Sequence, residues 1–158
     1  MRELAEEKVL GIENELIESD RAVFNRIDIH NILEIKDILD WERPAIESVV
    51  ILDDQLRIVP GGYFSKRSSD RVERFSTLLL ERVVPDLDLR QAPSNVRGHL
   101  HTYYDNRSYL FSYMRRQSRG RTFYIVLEVD LVYLVGRVFP QFFDVPSPHL
   151  YQVIDEVG

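Results

Sequence analysis

The spacing of hydrophobic residues changes period along this chain. Up to about residue 29 they recur every three to four positions: Ala5, Val9, Ile12, Leu16 and Val23 form a stripe that Leu10, Ile17 and Phe24 widen. The pattern predicts an amphipathic helix of roughly 25 residues with one broad apolar face. A second helical stretch, "DIHNILEIKDILDW", carries Ile32, Leu33, Ile35, Ile38 and Leu39, and Pro44 marks where it must have ended. The period then shortens to that of strands. Val49, Val50, Ile51 and Leu52 form a β-branched run, Asp53 and Asp54 make a turn, and Leu56, Ile58 and Val59 resume before Pro60, Gly61 and Gly62 break the pattern.

Helical spacing returns in "SSDRVERFSTLLLERVVPDLD", where Val72, Phe75, Leu78, Leu79 and Val83 share one side, Ser69 or Asp70 can cap the start, and Pro85 is expected to end it. After the loop "RQAPSNVRG" come three strand candidates, "HLHTYYD", "SYLFSYMRR" and "RTFYIVLEVD". Asp105 and Asn106 turn the first into the second, and Ser118 to Gly120 turns the second into the third. This order predicts an α+β domain around one five-stranded antiparallel sheet. The leading helix would cover one face, and the excursion from about residue 65 to 97 the other. We expect the domain to span 1–143. Residues 144–158 would be a C-terminal segment, either a sixth short strand or the start of a continuation.

Composition narrows the function classes. A net charge of −6 offers phosphate no broad attraction, so nucleic acid is not an expected partner. The absence of cysteine removes thiolate catalysis, disulfides and cysteine-based zinc sites together. No apolar run approaches the ~20 residues of a membrane helix, because "FYIVLEVDLVYLVGRVF" carries Glu128, Asp130 and Arg137. The N-terminus also lacks the layout of a signal peptide. Taken literally the chain reads as cytosolic; taken as an excised fragment it can come from any compartment.

The long leading helix, the apolar strand running into "LDDQLRIV", the helical excursion and the three-strand meander ending in "YIVLEVDLVYL" together resemble the Cache domains. These are PAS-like extracytoplasmic sensor modules of bacterial membrane receptors. The resemblance extends from about residue 1 to 143. It implies a periplasmic part of an inner-membrane protein, a sensor histidine kinase first among the outputs, attached through membrane helices outside this chain. It further implies a small-molecule ligand, no enzymatic activity in the module itself, and a long helix that carries the signal. In amino-acid-binding members an Asp near the end of the last sheet strand receives the ligand's amino group. Asp130 in "LEVDL" stands at that position, and a helix N-cap is its alternative reading.

Further site candidates come from the residues themselves. On the last strand Tyr124, Glu128 and Asp130 share a polar parity around Val126, the mixture of apolar wall and placed polar groups that pockets use. Tyr109 and Tyr113 alternate with Phe111 on one face of the preceding strand. Arg115, with Arg116, Arg119 and Arg121, could meet a carboxylate or phosphate, or form a solvated basic hairpin tip. His99 and His101 point the same way, with Asp105 at the same parity, yet two imidazoles leave a zinc site incomplete. No metal, cofactor or catalytic residue is expected. A homodimer through the leading helix is an expected partner arrangement. The alternative function is a cytosolic PAS-like interaction domain without a small-molecule ligand, whose dimerisation would depend on Leu10, Ile17 and Phe24.

Overall fold

The computed structural model describes residues 11, 18, 20–32, 35–36 and 45–142. Five strands form one antiparallel sheet in the order β2-β1-β5-β4-β3: β1 is Ile46–Leu52, β2 Ile58–Ser65, β3 Arg97–Tyr104, β4 Arg107–Ser118 and β5 Arg121–Val129. The five strands expected to form the sheet are all present. β1 and β5 lie side by side in the centre and are almost wholly buried. Their near-continuous Val, Ile and Leu runs fit strands covered on both faces. The turns Asp105–Asn106 and Arg119–Gly120 place both residues at positive φ, as two-residue hairpins of this twist require.

Two departures from the sequence reading have local causes. Pro60, Gly61 and Gly62 do not end the second strand. β2 runs through them as an edge strand, where a missing proline N–H costs no ladder bond. The extra residues are absorbed in a bulge, since Val50 pairs with Tyr63 but Leu52 pairs with Ile58. Gly61 sits at φ +70, and a Cβ on Gly62 would lie 2.4 Å from Val59 Cγ2. Nor does Pro85 end its helix. Ser69–Leu78 is α-helical, Leu79–Val83 forms a wider π turn, and Val84–Leu87 continues in α geometry. Proline has no N–H for the usual bond four residues back, and the wider turn closes through the Val84 N–H on the Leu79 carbonyl instead. The N-cap position is Ser68 rather than Ser69 or Asp70, so the helix begins at Ser69.

Each sheet face carries its own core. Helix 69–87 packs Phe75, Leu79, Val83, Val84 and Leu87 onto Val50, Leu52, Phe111, Tyr124 and Val126. On the opposite face Val23, Phe24 and Ile27, from the helical residues 20–26 and just after them, meet Val49, Ile51, Ile125 and Leu127. Of the long leading helix expected from the sequence, only residues 11, 18 and 20–26 are described, and they are helical; the rest of that stretch, Leu10 and Ile17 included, lies outside the described residues. So do most of the second helical stretch and residues 144–158. A helical segment over 131–142, with Leu134 and Val138 facing inward, shares the face of residues 20–27; the sequence pointed to a helix here only through the alternative reading of Asp130 as an N-cap. Among the described residues no helix is long and apolar enough to cross a membrane.

Candidate functional site

Strand register decides which side chains meet helix 69–87. Glu128 lies between Ser48 and Phe111, Val126 between Val50 and Tyr113, and Tyr124 between Leu52 and Arg115. Tyr124, Glu128, Tyr113 and Arg115 therefore share this face, and Tyr109 joins them two residues before Phe111. Tyr109 and Phe111 stack on Phe75 at centroid distances of 6.2 and 6.4 Å. Tyr113 lies across Gly98, where a Cβ would come within 2.3 Å of its ring. The tyrosines are thus packed into the second core. Asp130 leaves the group: it sits beyond β5, where its Oδ1 accepts from the Tyr133 N–H at 3.0 Å and caps the helical segment 131–142.

Glu128 is 5% exposed, and its partner came from a residue the sequence reading passed over. Arg67, in the link between β2 and helix 69–87, donates from both terminal nitrogens to both carboxylate oxygens. The Ser48 hydroxyl donates to Oε2 at 2.9 Å, and the guanidinium stacks 3.9 Å above the Phe75 ring. Burial works against the Arg67 charge, but its hydrogen bonds to Glu128 and the adjacent acids outweigh that and hold its pKa above the ordinary value. Burial, the largest influence, raises the pKa of nearby Glu47. A carboxylate inside a strand of Val, Leu and Ile signals that a cation must exist somewhere; the spacing did not say that it was Arg67.

At the other end of the same face the surface opens into a groove of about 650 Å³ lined by Leu56, Arg57, Ile58, Leu80, Val84, Pro85 and Arg90. The π turn positions part of its wall. It turns Leu79 and Val83 into the core and leaves Leu80 40% exposed. Arg115 supports the rim from below, its Nη1 donating to the carbonyls of Arg90 at 3.3 Å and Ala92 at 3.4 Å. Its Nε is buried without a partner among the described residues. Arg57 is held by Asp53, with Nε and Nη2 both 3.1 Å from Oδ2. Asp53 is not an ordinary solvated turn carboxylate, since the Arg57 and Gln55 backbone N–H groups donate to it and lower its pKa, Arg57 foremost. Of the groove residues only Leu56 and Ile58 had apolar positions that the sequence pattern assigned to a strand or helix face.

The opposite face holds a second polar cluster. Asp20, 1% exposed, accepts from the Ser112 hydroxyl at 2.5 Å and lies 3.5 Å from Arg97 Nε and 3.4 Å from His99 Nε2. Arg116 Nη1 donates to the Ile27 carbonyl at 3.0 Å, so the arginines grouped in the sequence are split between the two faces. His101 bonds the Ser108 hydroxyl at 2.7 Å and Asp105 pairs with Arg82, so the three do not converge. Among the described residues no three potential ligands are placed to hold a metal.

The sequence matches no family model, and no curated protein matches it. One solved structure that it resembles is the extracellular domain of vpHK1S-Z8, a protein described as a histidine kinase, with a TM-score of 0.41 and 13% identity. The match covers 85% of this chain and 55% of that one, so this chain spans about half the length of that structure.

Proposed function

We propose that the chain is an extracytoplasmic ligand-sensing module of a bacterial membrane signal transducer, with a sensor histidine kinase as the first candidate for the whole protein. The observation that carries this reading is the division of labour across one sheet. A ligand-sized groove opens on the face of helix 69–87, and residues 20–27 are packed and ion-paired to the face behind it. Occupancy of the groove would bias the β1–β2 hairpin that lines one side of it. The helical residues 20–26 rest on β1, the strand that enters this hairpin, and on β5, which would give them a mechanical route to a membrane segment. Both the Cache resemblance and a sheet covered by helices on both faces support the same reading. Binding chemistry rather than turnover is the expected activity.

The experiment is a topology reporter placed in the parent reading frame at a position inside this domain, using an enzyme active only outside the cytoplasm. Activity is expected; a reporter active only as a cytoplasmic fusion would remove the receptor reading. The cytosolic alternative asks Phe24 to pair two chains, and Phe24 is fully buried against the sheet.

A further inference from the structure

We propose that the groove between the β1–β2 hairpin and the 79–90 segment binds a soluble amphiphilic monocarboxylate, its alkyl body on Leu56, Ile58, Leu80 and Val84 and its carboxylate on Arg90. This names a ligand class for the sensor reading and rests on that reading only for the consequence of binding. The groove's volume of about 650 Å³ lies within the range of small-molecule sites. Its wall is apolar except at two arginines, which confines polar recognition to its rim. Those two cations are not equivalent. Arg57 is already neutralised by Asp53. The Arg90 guanidinium has no hydrogen bond or ion pair among the described residues, while its backbone is fixed from below by Arg115. One available planar cation beside an apolar trough matches one planar anion on an apolar chain. A dianionic phosphate ester would find a second charge uncompensated, and an uncharged alcohol would leave Arg90 unused. Leu80, among the few large hydrophobic residues that stay exposed, is covered when the chain lies down, which supplies the apolar part of the affinity.

The probes are octanoate, octanol and octylammonium, each below its aggregation concentration, titrated into the 158-residue chain and followed by amide and methyl NMR shifts. Saturable binding of octanoate is expected, with the shifts centred on Leu56, Ile58, Leu80 and Val84. Octanol should bind about five- to tenfold more weakly and octylammonium not at all. Arg90→Gln, at an exposed site, should bring octanoate down to the octanol level and leave octanol unchanged. Leu80→Asp should abolish both. Equal affinity for octanoate and octanol, shifts centred on Tyr109 and Tyr113, or no saturation in the millimolar range would each overturn the proposal. None of these outcomes bears on the topology reporter, so the ligand class and the receptor reading fail separately.

Discussion

Glu128 and Asp20 are both buried carboxylates on this sheet, one on each face, and they are held in opposite ways. Glu128 is gripped by both terminal nitrogens of one arginine, with a serine hydroxyl completing its shell. Asp20 shares itself among a serine, an arginine and a histidine, and its two ion pairs are long, 3.5 and 3.4 Å. Their arginines register the difference. For Arg67 the partner charges outweigh burial and the pKa rises; for Arg97 burial outweighs Asp20 and the pKa falls. One face is therefore latched. The other is attached by a pair whose desolvation is incompletely compensated, a suitable property for the element that the proposed sensor reading asks to move.

The largest expected effect lies at the latch. Glu128→Ala leaves the Arg67 charge buried without a partner and should cost about 3–5 kcal/mol in urea unfolding. A loss below about 1 kcal/mol would mean that Arg67 simply swings into water and that no latch exists. Next on the same face comes Tyr104, whose hydroxyl donates to Asp86 at 2.6 Å. Burial first, and Asp86 second, push its pKa up to about 12. Because the folded value lies above the ordinary one near 10, the extra stability is whole below pH 10 and is lost as pH rises through about 12. The alkaline loss should be of order 2–3 kcal/mol. Tyr104→Phe should flatten that limb of the stability profile; an unchanged limb would assign it to other groups.

Asp20→Asn tests the weaker attachment and should cost about 1–2 kcal/mol. Its diagnostic is location rather than size. Hydrogen exchange should accelerate in 20–27 while β1 and β5 stay protected. Should Asp20→Asn cost as much as Glu128→Ala, or loosen the whole sheet equally, the contrast between the faces would be void.

The parts of this fold legible in the sequence are those where one period holds over a whole element. β1, β4 and β5 and the turns between the last three strands are of this kind, as is the helical stretch after Ser69. What escaped lies where proline and glycine act inside an element rather than at its end. Pro60 with its two glycines became a bulge and Pro85 a π turn, since an edge strand and a wider helical turn each tolerate the missing N–H. Side-chain partners escaped for a different reason. Glu128 and Tyr124 share a parity that the sequence shows, but Arg67 comes from a link with no periodicity, and Arg90 from a single 3-10 turn, Leu89–Gln91. Proximity across the sheet leaves no trace in local spacing.

The smallest effect concerns the residue that the Cache resemblance singled out. Asp130 ends β5 and its carboxylate caps the segment 131–142, which covers the same face as residues 20–27. Removing a cap of this type costs about 1 kcal/mol. Asp130→Ala should therefore lower stability by that amount, and Asp130→Asn, which keeps the accepting oxygen, should restore most of it. The second difference separates a cap from a ligand contact. With octanoate in the groove, both variants should show the same ligand-induced rise in melting temperature as the parent chain. A rise that vanishes in Asp130→Ala yet survives in Arg90→Gln would move the ligand to the end of β5. The loosely attached face would then be the one that senses, and the latched face the one that stands still.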